Sequence, residues 1–237
     1  MTNPATFCIA STLHSGNAAG RKLIESLLPG APDGWRACYL GCYHDDDPEW
    51  AKVTIDYFQE KLGHECVWPR LTDPGLDTAA ARKMIETADV LYLDGGDTLA
   101  GVEHTRKRGL LGALKKAAKN AHLVFGLSGG ACAAGPYTIG YDDDEEAFIA
   151  PCYDMGIPLP LDVHDEKDDW PEMRALLGLT RKDKKIERAA GIVIPTGSAL
   201  IMTPGGELFS HGKHPVEERS LDAKGGWKIE KLAAYAP

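Results

Sequence analysis

No apolar stretch in the sequence approaches the length needed to span a bilayer. The opening residues, Met1 to Thr6, carry neither the basic nor the apolar segment of a secretion signal and lead straight into a strand-like run. These absences point to a cytoplasmic protein. Positive charge is in short supply as well: 26 Lys and Arg face 35 Asp and Glu, for a net charge of −9, which argues against nucleic acid and anionic membranes as partners. The six cysteines (Cys8, Cys38, Cys42, Cys66, Cys132, Cys152) form no C-x-x-C pair. Several sit in strand-like apolar runs, where a reduced cysteine behaves as a small hydrophobe. Cys38, Cys42 and His44 have the chemistry of metal ligands, but no fourth ligand accompanies them and Cys38 falls in a core-like strand, so no zinc site is expected. No internal repeat, low-complexity tract or linker interrupts the 237 residues, which are read as one domain over 1–237.

What is present is an alternation. Apolar runs at Thr6–Ser11, Arg36–Gly41, Glu65–Trp68, Asp89–Leu93 and His122–Gly126 read as short buried strands. Between them lie amphipathic stretches with helix signals. Asn17–Leu28 ends at Pro29-Gly30, and a helix after Asp47-Pro48 carries Trp50, Val53 and Tyr57 and ends near Leu62-Gly63. Asp77 caps a helix to about Thr87, and Leu99–Arg108 and Leu110–Lys119 follow. This spacing predicts an α/β fold, a mostly parallel sheet with helices on both faces. Beyond Pro136 the pattern breaks up. An acidic run (Asp142 to Glu146) reads as a solvated loop, a helix is expected over Trp170–Leu177, and Gly191–Pro195, Ser198–Met202 and Glu207–His211 read as short antiparallel strands.

The chemistry concentrates at Ser128, in Gly126-Leu127-Ser128-Gly129-Gly130. This G-x-S-x-G pattern lies between a buried strand and a small-residue helix start. Such a corner holds a serine hydroxyl above the sheet, with the next N–H, from Gly129, aimed into the same space. A glycine-rich turn of this kind can also serve only close packing or anion binding. Gly95-Gly96 ends the preceding strand, where open α/β sheets place ligands, and its N–H groups can converge with that of Gly129. A serine nucleophile needs a base. Of the eight histidines, His164 is the best placed, at the end of a short apolar strand 36 residues beyond Ser128.

Three segments in this order, YLDGGDT (Tyr92–Thr98), GLSGGACAAGP (Gly126–Pro136) and DVHDEKDDWPEMRALL (Asp162–Leu177), resemble the peptidase E family of aspartyl dipeptidases and cyanophycinases. The likeness covers about Ala5 to Gly212. It implies a flavodoxin-like, class I glutamine-amidotransferase-like fold and hydrolysis of short peptides from the N-terminal side, without metal or cofactor. By the same likeness Ser128 is the nucleophile, His164 the base, and Gly95 or Gly96 with Gly129 the oxyanion donors. A small peptide is the implied partner, and a homo-oligomer is left open.

The departures from that family are informative. Gly129 stands where the family has Ala, which is expected to loosen the corner, and Asp165 stands where Phe usually follows the histidine. The family's arginine for an acidic substrate side chain has no clear counterpart in Asp165 to Asp169, with Arg174 further on, so neutral or basic N-terminal residues are expected to be preferred over aspartate. The acid that orients the histidine falls on Thr196, which supplies no charge. An aspartate from the run Asp142 to Asp144, with Asp143 the choice among them, is the expected replacement. Two other readings compete: a binding or regulatory protein that kept the pocket, and an α/β-hydrolase esterase. In the latter the histidine ordinarily comes near the C-terminus.

Overall fold

Strands buried on both faces must be joined by helices that cover those faces, and the first half of the chain does this. In the computed structural model, which describes residues 6–28, 34–183, 186 and 188–236, the order is β1 (Thr6–Ala10), α1 (Ala18–Leu27), β2 (Arg36–Leu40), α2 (Pro48–Asp56), β3 (Glu65–Val67), α3 (Thr78–Glu86), β4 (Val90–Leu93), α4 (Thr98–Lys107), α5 (Leu111–Asn120) and β5 (Leu123–Leu127). Met1 to Ala5 and the expected helix stop Pro29-Gly30 lie outside the described residues. Asn17, Asp47, Asp77 and Asp97 cap α1 to α4 through their side-chain oxygens, which satisfies N–H groups that a helix start leaves unpaired. The helix expected to run to Leu62 changes character at Tyr57. A widened π turn over Tyr57–Lys61, closed by Leu62 N–H to the Tyr57 carbonyl at 3.2 Å, buries the adjacent Tyr57 and Phe58 together.

The second half adds α6 (Gly129–Ala134), β6 (Tyr137–Tyr141), β7 (Ala147–Pro151), β8 (Leu161–Val163), α7 (Pro171–Thr180), β9 (Ala190–Ile194), β10 (Ser198–Met202), β11 (Leu208–Gly212), β12 (Glu217–Leu221) and β13 (Trp227–Lys231). The main sheet has the order β11-β10-β1-β5-β4-β2-β3, parallel from β1 to β3 with β10 and β11 antiparallel at one edge. The expected α/β architecture is therefore present. One detail differs. The last three expected strands do not lie together: β9 belongs to a second sheet, β13-β12-β9-β8, where it pairs parallel with β8. The cause is a tight turn at Pro195–Ser198, closed by Ser198 N–H on the Pro195 carbonyl, which sends the chain across to β1. The β6–β7 hairpin and the β12–β13 pair have no clear strand pattern in sequence; β12 (EERSL) and β13 (WKIEK) are mostly charged and partly or fully exposed.

Alternation within β5 shows how the layers form. Leu123, Phe125 and Leu127 face α1 and α2, packing with Leu23, Ile24 and Ala51, while Val124 faces the side of α3 to α5 with Ile85, Val102 and Leu114. That second layer continues through α6 into β8 and β9, so one apolar cluster links both sheets. Among the described residues no helix is long and apolar enough to cross a membrane.

Candidate active site

Ser128 follows the central strand β5 directly, at the carboxyl end of the sheet, where its N–H extends the ladder to the Ala10 carbonyl at 3.0 Å. Its backbone has φ 47° and ψ −114°, a conformation costing about 1–3 kcal/mol for a residue with a Cβ. The surrounding glycines hold it there. A Cβ on Gly130 would lie 2.4 Å from the Asp94 carbonyl oxygen, and one on Gly126 would lie 3.1 Å from the Ala131 Cα. So α6 presses against β4 and β5, and the elbow is over-determined.

The glycine after the serine is tighter still. A Cβ on Gly129 would stand 2.0 Å from the Gly96 carbonyl oxygen. Gly129 does not loosen the corner, as the sequence suggested. It lets the Gly95-Gly96 turn close onto the elbow. Gly96 has φ +125° and would clash with the Tyr43 carbonyl if it carried a side chain. Among the described residues the N–H groups of Gly96 and Gly129 have no acceptor, whereas that of Gly95 is bonded to Asp94 Oδ1 at 2.8 Å. Of the two turn glycines, Gly96 thus has the free donor.

His164 follows β8 directly in a left-handed conformation (φ 51°), with its N–H on the Ile194 carbonyl at 3.0 Å. This turns the imidazole across the gap between the sheets, and Nε2 lies 2.9 Å from Ser128 Oγ. Asp162 anchors the segment: its two carboxylate oxygens accept from Val163 N–H and from Met173 N–H in the first turn of α7. Burial, then the charges of Glu172 and Asp165, push the Asp162 carboxyl up to about 7. The folded state therefore holds this proton more tightly than the unfolded chain. The stability it contributes is fully present below about pH 4 and lost as the pH rises to about 7, up to about 4 kcal/mol in all. Thermal melts between pH 4.5 and 8 check this, since Asp162→Asn is expected to flatten the decline seen in the parent protein.

No carboxylate hydrogen-bonds to His164 among the described residues. Asp165, Glu166 and Glu172 are the acids whose charges reach it. Glu166 is held in a particular place: both its oxygens lie 3.3 Å from Thr196 N–H. Partial burial raises its pKa, but the Thr196 hydroxyl and N–H, together with the His164 charge, outweigh this and leave it lowered. Asp143, expected to orient the histidine, is exposed in the turn of the β6–β7 hairpin and has no hydrogen bond or ion pair to His164. Arg174 is committed elsewhere, to Asp169 at 3.0 Å and the Gly225 carbonyl at 2.8 Å, with its guanidinium stacked on Trp227.

Ser128 and His164 open on a cleft of about 390 Å³ that also includes Thr12, His14, His44, Trp50, Asp94 and Leu127. Asp94, only 4 % exposed, receives the hydroxyl of Tyr39 and, at 3.2 Å, Nε2 of His44. Burial works against a His44 cation, but the bond and charge of Asp94 prevail and raise its pKa. Of the sequence-derived residues, the structure brings Ser128, His164, Gly95, Gly96 and Gly129 together and leaves Asp143 apart. His14, Trp50 and the part played by His44 and Asp94 were missed. Their signal was positional, since His14, His44 and Asp94 each follow the carboxyl end of a parallel strand. Cys38 is buried in the core and the Cys42 thiol donates to the Gly101 carbonyl; no group of three or more metal-ligating side chains occurs among the described residues.

The family resemblance is also found by comparison with known proteins. The family model for peptidase family S51 matches residues 42–154, a span that holds the Gly-Gly turn and Ser128 and stops before His164. No curated protein matches. Among solved structures, a peptidase from an acI-B1 Actinobacterium aligns with TM-score 0.72 at 14 % identity, over 98 % of this chain and 96 % of its own. A Listeria monocytogenes EGD-e protein assigned to peptidase E aligns with TM-score 0.62 at 13 % identity, over 89 % and 99 %. The chain is thus peptidase E-like in fold and in its family match, which supports a peptidase.

Proposed function

We propose that the protein is a serine peptidase that cleaves short peptides from the N-terminal side through an acyl-Ser128 intermediate. The observation that carries this reading is the 2.9 Å contact between Ser128 Oγ and His164 Nε2 at a strained elbow. In this reading His164 takes the hydroxyl proton as Ser128 adds to the scissile carbonyl, and returns it to the leaving amine. The oxyanion that forms is met by the free N–H groups of Gly96 and Gly129. Water, deprotonated by His164, then releases the acyl group. The cleft falls in the usual range of small-ligand sites, roughly 300–1,000 Å³. Labelling by a fluorophosphonate probe, lost in Ser128→Ala, tests the nucleophile; an unlabelled native protein would sink the proposal.

Glu166, held at Thr196, takes the charge-stabilising part in this reading in place of Asp143. It acts through space, so Glu166→Gln is expected to lower kcat by about tenfold, roughly 1.4 kcal/mol of imidazolium stabilisation, and Asp143→Asn to leave it within about twofold. Rates for the two variants, measured side by side, separate these assignments. That no carboxylate among the described residues bonds to His164 is the one observation favouring a binding or regulatory protein with a kept pocket, and the labelling experiment decides against or for it. The esterase reading finds no support in the fold, which matches peptidase structures over nearly the whole chain.

A further inference from the structure

We infer that the cleft beside Ser128 receives a neutral aromatic side chain, that of the substrate residue whose carbonyl Ser128 attacks, and rejects aspartate and glutamate there; this rests on the serine-peptidase reading above. The walls are apolar and aromatic. Trp50 stands 61 % exposed on one side, unusual for so large an apolar side chain. Its ring centroid lies 6.1 Å from that of His44, with the planes tilted by 40°. Leu127 and His14 face the same space. A deeper recess of about 90 Å³, shared by His14, Trp50, Asp94 and Leu127, continues to Val53 and Tyr92. Flat side chains stack well on such surfaces in offset or tilted geometry.

The charges exclude the alternatives. Among the described residues no lysine or arginine lines the cleft or its recess. The imidazole of His44 is fully occupied, with Nε2 on Asp94 and Tyr39 and Nδ1 accepting from Asp47 N–H at 3.3 Å. His14 accepts from Gly16 N–H at 3.0 Å through Nδ1, and burial holds its pKa below the usual histidine value, so it presents a neutral ring. Arg21 lies in a neighbouring depression and donates to the Ser15 carbonyl, and Arg174 is committed to Asp169 and Gly225. An acidic side chain entering the cleft would shed water, find no lysine or arginine and a His44 imidazole already committed to Asp94, and meet the Asp94 carboxylate. A basic side chain gains little either, because both Asp94 oxygens already accept, from Tyr39, His44 and Gly95 N–H.

The test measures kcat/KM for Phe-Ala, Tyr-Ala, Ala-Ala, Asp-Ala, Lys-Ala and the reversed Ala-Phe, in the native protein and in Trp50→Ala, with fluorophosphonate labelling of both. Phe-Ala and Tyr-Ala are expected to exceed Asp-Ala and Lys-Ala by at least about tenfold. Trp50→Ala is expected to shrink the Phe-Ala to Ala-Ala ratio by about fivefold or more, chiefly through KM. Preference for Asp-Ala or Lys-Ala, equal rates for all, or an aromatic preference seen only in Ala-Phe overturns the inference while leaving a labelled Ser128 and the peptidase reading intact. A protein that is not labelled and cleaves none of them overturns the peptidase reading, and this inference with it.

Discussion

Ser128→Ala is expected to lower kcat by a factor of about 10⁴ or more and to leave the melting temperature close to that of the parent protein. The first half follows from the proposed mechanism: without the hydroxyl no acyl-enzyme forms, and only binding and the proposed oxyanion donors remain to assist direct attack by water. The second half follows from the packing. Ser128 is held by its backbone N–H on Ala10 and by α6, not by its side chain, whose one bond goes to the exposed His164. His164→Ala is expected to cost a comparable factor, and the double variant hardly more than either single one, because nucleophile and base act as one unit. Steady-state rates for the three variants, with melts to confirm folding, provide the check. A double variant slower than both singles by a further factor of about 100 would show that the two side chains serve separate steps.

Much of this site was legible in the chain because its parts are local. The elbow needs a buried strand, a serine and a run of small residues in succession, and Leu123 to Ala134 supply all three within one stretch. The Gly95-Gly96 turn is likewise a strand end, and the parallel sheet that makes β4 and β5 neighbours follows from the alternation of strands and helices. What escaped the sequence depends on contacts between distant segments. Glu166 reaches Thr196 across 30 residues, and no pattern marks a loop glutamate as the partner of a loop threonine. Asp94 looked like one more turn residue, yet Tyr39 and His44 converge on it from 55 and 50 positions away. The split of β9 from β10 was hidden for a similar reason. Both are equally apolar, buried strands, so hydropathy alone does not say which sheet each one joins.

The same distant packing sets the effect of Gly129→Ala, a change that would restore the residue usual in the peptidase E family. By sequence likeness it should be harmless or helpful. The structure gives the opposite expectation. The added methyl would stand 2.0 Å from the Gly96 carbonyl oxygen and 2.9 Å from its carbon, both backbone atoms, so no side-chain rotation relieves the contact. Gly96 in turn leans on the Tyr43 carbonyl, and Asp97 N–H is tied to that carbonyl at 2.7 Å. The turn therefore has little room to retreat, and the elbow or the turn must move by an ångström or more. Overpacking of this kind costs about 1–3 kcal/mol of stability. In the serine-peptidase reading the larger loss falls on catalysis, because the displaced groups carry the two N–H donors, of Gly96 and Gly129, that this reading assigns to the oxyanion. Removing one oxyanion donor costs about 10²–10³ in kcat, and a shift of about 1 Å is enough to cost 10²-fold. Gly129→Ala is accordingly expected to lower kcat by about 10² or more with a modest fall in melting temperature, whereas fluorophosphonate labelling slows without being abolished, since Ser128 and His164 remain. A Gly129→Ala protein with native kcat would show that the Gly96 turn yields freely and takes no part in holding the oxyanion.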